Sequence, residues 1–299
     1  MDMLRIENLR KRFGDKEVLK GVDLNAPEHS VFGFVGKNGA GKTTTMKAVL
    51  GLVKPDAGEI TVAGERAEYG QTATNKYIGY LPDVPEFYPF MTAREYLRFC
   101  GEITGMEKAE IDLRSAELLE LVGLGDETHR IKGFSRGMKQ RLGIAQALLN
   151  RPKLLICDEP TSALDPVGRK EILDILLSVR GQTTVLFSTH ILSDVERICT
   201  DVAFLNDGVI AVQGRLADIK SMHRSEEYLL ETKSERDAQT LLSANGLLSP
   251  SGRAQLVFRG SEAALFDLMQ FIAENKIPVL KLERMEPSLE SLFMEAVEK

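Results

Sequence analysis

The residues best suited to chemistry form a glycine-rich loop near the start of the chain. Gly36, Gly41, Lys42 and Thr43 fit the pattern G-x-x-x-x-G-K-[ST], between the apolar run Val31–Val35 and a segment of helical character. Glycine lets a backbone approach phosphate oxygens and adopt a positive φ, and the following helix adds its positive N-terminal dipole. Lys42 is therefore predicted to reach the β- and γ-phosphates of a nucleotide, and Thr43 to ligate Mg²⁺. An ordinary glycine-rich turn is the alternative, which the strand before the loop and the helix after it disfavour.

Two adjacent carboxylates follow a second apolar run. Residues 153–160 read KLLICDEP, so Asp158 and Glu159 stand at the carboxyl end of a strand predicted to be fully buried. Open α/β sheets place their ligands at that edge. In a nucleotide-binding chain, Asp158 is the natural Mg²⁺ partner, and Glu159 is the natural residue to orient or deprotonate an attacking water. A solvated strand end is the alternative.

A histidine and a serine complete the candidate set. His190 follows the predicted strand 183–187 and is expected at the same edge as Asp158, although a lone histidine is usually structural. Ser135 is predicted to cap the helix that follows it, which directs free N–H groups at any anion in front. Taken alone, Ser135 indicates no more than a capped helix.

The elements that must position these residues can be traced through the chain. Phe13 precedes a turn at Gly14 and Asp15. Its local pattern favours a place in the core, and the alternative is an exposed ring that stacks on a purine. Prolines interrupt regular structure after Asp83, and a helix capped by Thr92 is predicted next. Strands are predicted over residues 3–8, 18–24, 58–64, 77–81, 153–158 and 183–187, with a hairpin over 202–205 and 209–212, and helices dominate from Thr92 to Asn150.

Composition limits the function classes. The chain has 299 residues, 43% hydrophobic and 27% charged, and a net charge of −6 without a long Lys/Arg run, so nothing favours a nucleic-acid partner. The N-terminus lacks the apolar core of a signal peptide, and no stretch approaches the length that crosses a bilayer. A cytoplasmic chain, attached to a membrane only through a partner, is expected. Three cysteines without C-x-x-C spacing argue against a disulfide framework and a zinc site, and favour buried free thiols.

In this order the motifs resemble the ATPase subunit of an ABC transporter, of the type that serves drug, bacteriocin and antibiotic-peptide exporters. The resemblance covers residues 1 to about 215 and implies a P-loop ABC ATPase domain, with a mixed sheet flanked by helices, an antiparallel β-subdomain and a helical subdomain. It implies ATP and Mg²⁺, with Glu159 as catalytic base and His190 as the switch histidine at the γ-phosphate. It assigns nucleotide binding to Phe13, at the position where an aromatic ring stacks on adenine. It also assigns nucleotide binding to the residues of the glycine-rich loop and the start of the helix: Gly36, Lys37, Asn38, Gly39, Ala40, Gly41, Lys42, Thr43 and Thr44.

The resemblance also defines residues that act on a second subunit and on the metal. Residues 134–138 read FSRGM where LSGGQ is usual, so Ser135, Arg136, Gly137 and Met138 form the signature that faces the ATP of the other subunit. The kept serine and second glycine are expected to preserve the phosphate contacts. Asp165 belongs to the D-loop. Asp83 stands where a glutamine is usual, and it joins Thr43 and Asp158 in the expected Mg²⁺ set.

The sequence predicts two domains. Residues 1–220 form the ATPase domain, with the helical subdomain at about 84–150. Residues 223–299 form an accessory domain, whose predicted order is strand, helix, two short strands, helix, strand and a last helix from Pro287. A small α+β layer of ferredoxin-like type packs that order most simply. This domain carries no evident chemistry and is interpreted as supporting interaction or dimerisation.

The expected function is ATP binding and hydrolysis that powers an exporter of a drug, a peptide antibiotic or a similar compound. Two copies are expected to enclose ATP between them, as a homodimer on a separate transmembrane permease at the cytoplasmic face of the membrane. Residues 86–90, EFYPF, are the candidate docking surface for the permease, unless these aromatics fold inward. The alternatives are an importer ATPase, and a non-transport ABC ATPase or immunity module.

Overall fold

The computed structural model describes residues 2–71, 73–222, 227–285 and 289–292. The chain divides into two compact units, Met1–Ala217 and a smaller one that begins at Asp218 and runs to Leu292. The strands are β1 (Asp2–Phe13), β2 (Lys16–Pro27), β3 (Val31–Val35), β4 (Ala57–Val62), β5 (Glu65–Arg66), β6 (Ile78–Leu81), β7 (Leu154–Asp158), β8 (Thr184–Thr189), β9 (Asp201–Asn206), β10 (Val209–Arg215), β11 (Glu227–Thr232), β12 (Leu248–Pro250), β13 (Gln255–Arg259) and β14 (Val279–Arg284). The α-helices are α1 (Lys42–Val49), α2 (Ala93–Ile103), α3 (Lys108–Leu121), α4 (Arg136–Leu148), α5 (Pro166–Ser178), α6 (Leu192–Ile198), α7 (Leu216–Met222), α8 (Glu235–Ala244) and α9 (Glu262–Glu274).

The first unit contains two sheets. One is antiparallel, in the order β2-β1-β4-β5, and the other is six-stranded, in the order β10-β9-β3-β8-β7-β6. In the second sheet β3, β6, β7, β8 and β9 run parallel, and β10 joins the edge as the antiparallel arm of a hairpin. The mixed sheet and the separate antiparallel sheet confirm the predicted fold class.

The strands β1 and β2 extend well beyond their predicted bounds. Their pairing shifts register at several points, for example between Ile6 and Leu9, so one irregular hairpin continues where strict alternation stops. Such shifts interrupt the two-residue period on which sequence prediction relies. The core between the two sheets contains fully buried side chains from both sheets and from the first helix: Leu4, Ile6, Leu24, Phe32, Phe34 and Met46.

Helices α2, α3 and α4 fall within residues predicted to be helical. Thr92 caps α2 as predicted, because its hydroxyl accepts from the Glu95 N–H and the Glu95 carboxylate accepts from the Thr92 N–H. Ser135 caps α4 by accepting from the Met138 N–H. Among the described residues, no helix is both long enough and apolar enough to cross a membrane.

The second unit has the strand and helix order β-α-β-β-α-β. Its antiparallel sheet runs β12-β13-β11-β14, and helices α8 and α9 pack with it around Leu230, Leu241, Phe258 and Leu268. This is the ferredoxin-like order that the sequence predicts. The start of the predicted last helix, at Pro287, lies outside the described residues.

All three cysteines carry free thiols. Cys157 is fully buried in β7, whereas Cys100 and Cys199 are partly buried. Desolvation raises the pKa of each of these thiols above its usual value. Because the thiolate is the nucleophile, a raised pKa slows reaction near neutral pH.

We therefore expect Cys157 to react with a maleimide at pH 7.5 only after the first unit unfolds. Mass spectrometry of the native chain and of the chain in urea measures the reaction at each cysteine. Rapid modification of Cys157 in the native chain would contradict its burial in β7.

Candidate functional site

Three loops leave the six-stranded sheet at one edge. Val35 at the end of β3 pairs with Thr189 of β8, and Asp158 at the end of β7 pairs with Ser188 of β8. Because these strands are parallel and in register, the residues that follow them emerge side by side. The glycine-rich loop, Glu159 and His190 are thereby brought together, at the edge where parallel sheets bind ligands.

The glycine-rich loop is shaped by two glycines that a larger residue could not replace. A Cβ on Gly36 would lie 2.6 Å from the carbonyl oxygen of Leu205. Gly41 has a φ of 115°, and a Cβ there would lie 2.6 Å from Leu19. The backbone therefore turns tightly from β3 into α1, whose first N–H groups have no carbonyl partner within the helix.

Lys42 lies at the centre of the charged groups. Its side chain is 6% exposed, and its ammonium donates to the Gly36 carbonyl at 2.7 Å. The Glu159 Oε1 atom lies 3.2 Å from Lys42 Nζ, and the Glu159 Oε2 atom lies 2.9 Å from Nδ1 of His190. The Glu159 carboxylate thus lies between a buried cation and a partly exposed histidine.

Asp158 connects the loop to the neighbouring strand. Its Oδ2 accepts from the Thr43 hydroxyl at 2.7 Å, and its Oδ1 accepts from the Ser188 hydroxyl at 2.6 Å. The Ser188 hydroxyl also accepts from the Glu159 N–H at 3.0 Å. Tyr80 lies on the adjacent strand β6. Burial is the larger cause and the nearby charge of Asp158 the next, and together they raise the pKa of Tyr80 to about 12.

These groups surround a cavity of about 350 Å³. Most of the predicted nucleotide, metal and catalytic residues line it: Asn38, Gly39, Gly41, Lys42, Thr43, Thr44, Asp83, Asp158, Glu159 and His190. Val18 and Ser162 line it as well. Sequence reasoning did not select Val18, and the resemblance places Ser162 in the D-loop with Asp165. Lys37 and Ala40 line a neighbouring pocket with Asn38 and Gly39.

Phe13 lies at the end of β1 and is 50% exposed. The ammonium of Lys11 lies 5.2 Å from its ring centroid. The local interpretation of Phe13 as a core residue was therefore wrong, because the strand ends at a surface turn. An exposed ring is free to stack on a planar ligand.

The signature residues Ser135, Arg136, Gly137 and Met138 begin α4 and do not line the cavity. Ser135 and Arg136 are exposed, so the N-terminal end of α4 lies at the surface. Asp165 is exposed too, and it caps α5 by accepting from the Gly168 N–H. Within one chain, Arg136 lines a different groove from the cavity that the phosphate loop lines.

Asp83 lies between the cavity and α4. Its Oδ1 is buried without a hydrogen bond and lies 3.7 Å from Nη2 of Arg136, and its carbonyl accepts from Gln140 Nε2 at 2.8 Å. Asp83 also lines a groove of about 420 Å³ with Val84 and Phe87. The two departures from the usual pattern, Asp83 and Arg136, therefore face each other.

Two residues that sequence reasoning missed complete this arrangement. Ser188 is fully buried and positions both Asp158 and the Glu159 backbone, and Gln140 is fully buried and connects α4 to Asp83. Ser188 could not be selected from the sequence, because its role depends on its being in register with Asp158. That register is known only once the strand pairing is known. Gln140, a lone polar residue on the apolar face of α4, could have been noticed from its spacing.

The donor set fits a nucleotide with Mg²⁺. Thr43 and Asp158 offer a hydroxyl and a carboxylate oxygen at one place, Asp83 adds an oxygen without a hydrogen bond, and Lys42 adds a cation. Oxygen ligands from one or two carboxylates, completed by substrate phosphates, are what Mg²⁺ prefers. Among the residues that the structure describes, no group of three or more His, Cys, Asp or Glu side chains forms an all-protein metal site.

Comparisons with known proteins agree with this geometry. The ABC transporter family model matches residues 19–162, and the model of the "ATP-binding protein DrrA1-3-like, C-terminal domain" matches residues 214–297. The chain is 37% identical to the ABC transporter ATP-binding protein YxlF of Bacillus subtilis, across 99% of both chains. It is 35% identical to the bacitracin transport ATP-binding protein BcrA of Bacillus licheniformis, across 99% of this chain and 97% of that one.

A solved structure shows the same fold. An ATP-binding subunit of an ABC transporter superposes with a TM-score of 0.66 at 32% identity, across 74% of this chain and 92% of that one. The chain belongs to the family of ABC transporter ATP-binding subunits. The resemblance that its motifs suggested is thus confirmed, as is the binding of ATP that defines the family.

Substitution of Ser188 by alanine tests the connection between the strands. The change leaves a buried carboxylate oxygen of Asp158 without its donor, whereas the Glu159 N–H keeps the Ser188 carbonyl at 3.2 Å. We therefore expect a loss of about 1–3 kcal/mol of unfolding free energy. Urea denaturation measures it. Ser178→Ala is the matched control, because the Ser178 hydroxyl donates only to the Ile175 carbonyl within its own helix. Equal midpoints for the two variants would contradict a special role for Ser188.

Proposed function

We propose that this chain hydrolyses ATP and that hydrolysis powers export through a separate transmembrane permease. The observation that supports this proposal most strongly is the convergence of Lys42, Thr43, Asp158, Glu159 and His190 on one cavity, in a chain of the ABC family. Phosphoryl transfer requires a loop that surrounds the phosphates, an acid that orients the water, and cations that stabilise the developing charge.

The residues take these roles. The N–H groups of residues 36–44 bind the phosphate oxygens, and Lys42 neutralises charge on the β- and γ-phosphates. Thr43, Asp158 and Asp83 hold Mg²⁺, which supplies charge stabilisation at the phosphate oxygens when bound. Phe13 stacks on the adenine ring.

Glu159 acts on the attacking water. Its carboxylate accepts a proton or orients the water in line with the scissile bond, and its position is fixed at the backbone by Ser188 and at the side chain by Lys42 and His190. When phosphates draw the Lys42 ammonium toward themselves, the Glu159 carboxylate loses a counter-charge and is available to the water. His190 then faces the γ-phosphate.

Two chains form the complete site. The exposed start of α4, with Ser135, Arg136, Gly137 and Met138, presents N–H groups and a guanidinium to the γ-phosphate bound by the other chain. Asp165 lies at the start of the helix that follows Glu159 along the chain and completes the contact between the two subunits. A homodimer with two enclosed ATP molecules satisfies both half-sites.

The groove beside Asp83 is the proposed docking surface for a cytoplasmic helix of the permease. Phe87 packs edge-on against Tyr96 at 5.0 Å and Tyr88 packs edge-on against Phe99 at 5.5 Å, yet Tyr88 remains 47% exposed. The aromatics therefore fold partly inward, and the groove keeps an apolar floor with Val84 62% exposed at its side. Attachment to the permease would hold the chain at the cytoplasmic face of the membrane.

Export is favoured over import by the relatives. The bacitracin transport protein matches along nearly the whole length, and the C-terminal unit matches a domain named for a DrrA-like ATP-binding protein. A drug, a peptide antibiotic or a similar compound is the proposed substrate class. The C-terminal unit is proposed to support assembly.

Replacement of the proposed base tests the chemistry. We expect Glu159→Gln to lower kcat for ATP hydrolysis about 10²–10⁴-fold, as loss of a general base does, while ATP binding persists. With ATP and Mg²⁺ the variant should elute as a dimer in gel filtration. Glu117→Gln, at an exposed carboxylate on α3, is the control. Undiminished hydrolysis by Glu159→Gln would show that another group activates the water.

The docking surface is tested at Val84, which lines the groove. Val84→Asp introduces a charge that must be desolvated on docking, so we expect at least about tenfold less co-purification with the permease from native membranes. Leu113→Asp is the matched control, because Leu113 on α3 is 61% exposed and lies outside the groove. If both variants recovered the permease equally well, the groove would not be the docking surface.

A further inference from the structure

The loop from Glu159 to Asp165 holds two non-glycine residues in a left-handed conformation. Glu159 has a φ of 49° and Ala163 has a φ of 53°. Residues with side chains keep such a conformation only where the surroundings hold them in place. Within the loop, the Ser162 N–H donates to the Glu159 carbonyl at 3.0 Å, and the Leu164 N–H donates to the Thr161 carbonyl at 3.3 Å. These two turns lead from the proposed base to the start of α5.

A buried carboxylate on a different helix anchors this loop. Asp194 of α6 is 3% exposed. Its Oδ2 accepts from the Thr161 hydroxyl at 2.7 Å, and its Oδ1 accepts from Nη2 of Arg169 at 2.6 Å. Thr161 is fully buried. Both bonds are short and involve a charged acceptor, and they lie where little water competes for them.

The three partners belong to three segments that approach the nucleotide cavity. Thr161 follows Glu159 by two residues, and Arg169 lies one helical turn after Asp165, which caps α5. Asp194 lies in the first turn of α6, and its N–H donates to the carbonyl of Ile191, the residue after His190. One carboxylate therefore connects the segment behind the proposed base, the start of α5 and the segment behind the histidine.

We propose that Asp194 is a positioning residue for ATP hydrolysis. It fixes the loop 159–165 against α6, and it thereby sets where Glu159 lies relative to His190 and where Asp165 faces the second subunit. Asp194 does not line the cavity, so it acts through Thr161 and Arg169 and touches neither nucleotide nor water. This inference rests on the proposed function, because it assigns the role of Asp194 to the reaction that Glu159 serves.

The chain contains a matched pair that separates this role from simple helix packing. Asp174 of α5 and Arg197 of α6 bridge the same two helices, with Oδ1 and Nη2 2.8 Å apart. Their side chains are 51% and 40% exposed, and neither residue contacts the loop 159–165 through a hydrogen bond. Loss of this pair removes a bridge between α5 and α6 and leaves Thr161 in place.

The experiment compares Asp194→Asn with Asp174→Asn, and Thr161→Val with Thr161→Ser. We expect Asp194→Asn and Thr161→Val to lower kcat about tenfold to a hundredfold, the cost of a displaced catalytic group, and to leave the dissociation constant of ATP within about twofold. Asp174→Asn should keep the kcat of the unaltered chain. Thr161→Ser retains the hydroxyl and should retain most of the activity.

Hydrogen exchange supplies a readout that does not depend on hydrolysis. In the chain without added nucleotide, the amides of Ser162 and Leu164 should exchange at least about tenfold faster in Asp194→Asn and Thr161→Val, because the loop opens more often once its anchor is lost. Exchange in α5 away from the loop should remain unchanged. Asp174→Asn should leave the exchange of the loop amides as it is.

The outcomes distinguish this inference from the proposed function. If Asp194→Asn and Asp174→Asn behave alike in both kcat and loop exchange, Asp194 is only a helix bridge and the inference is overturned. If Asp194→Asn does not fold, the comparison of Thr161→Val with Thr161→Ser decides, and equal kcat for those two overturns it as well. If the unaltered chain hydrolyses no ATP, the proposed function itself fails, whatever the exchange of the loop shows.

Discussion

The candidate site depends on one buried carboxylate that connects two strand ends. Asp158 accepts one hydrogen bond from Thr43, at the start of α1, and another from Ser188, at the end of β8. The phosphate loop, the segment that carries Glu159 and the segment that carries His190 are thereby held at fixed distances from each other. A carboxylate with 3% exposure is stabilised only by such paired donors, so the interaction that positions the site also makes the buried charge tolerable.

The sequence predicts those parts of the site that lie close together along the chain. Residue type and the preceding apolar runs indicate the phosphate loop, Gly36 to Thr43, and the acidic pair Asp158 and Glu159. The capping role of Ser135 indicates the start of its helix. The buried apolar runs also predict the central strands of the six-stranded sheet. In the antiparallel sheet, the bounds of β1 and β2 are not predicted, because register shifts interrupt the alternation of apolar and polar residues. These features can be predicted because local steric and hydrogen-bonding rules decide them.

The parts that sequence reasoning missed depend on register and on packing across the chain. Ser188 matters because β8 is in register with β7, and Asp194 matters because α6 packs over a loop that precedes it by about thirty residues. No local pattern indicates either contact. The exposure of Phe13 is a similar case, since it depends on where β1 ends relative to the packed core. Asp83 and Arg136 both depart from the usual family pattern, and they look independent in the sequence. In the structure their side chains lie 3.7 Å apart.

A complete ATP site is proposed to need two chains, with the phosphate loop from one and the signature from the other. Mixing two inactive variants tests it most directly. Lys42→Ala removes the phosphate cation, and Gly137→Asp places a carboxylate at the signature, where a Cβ meets no atom closer than 4.0 Å. A mixed dimer of these variants contains one unaltered site and one doubly altered site. We expect the mixture to hydrolyse ATP although neither variant does so alone, and a mixture as inactive as its components would argue against a site shared between two chains.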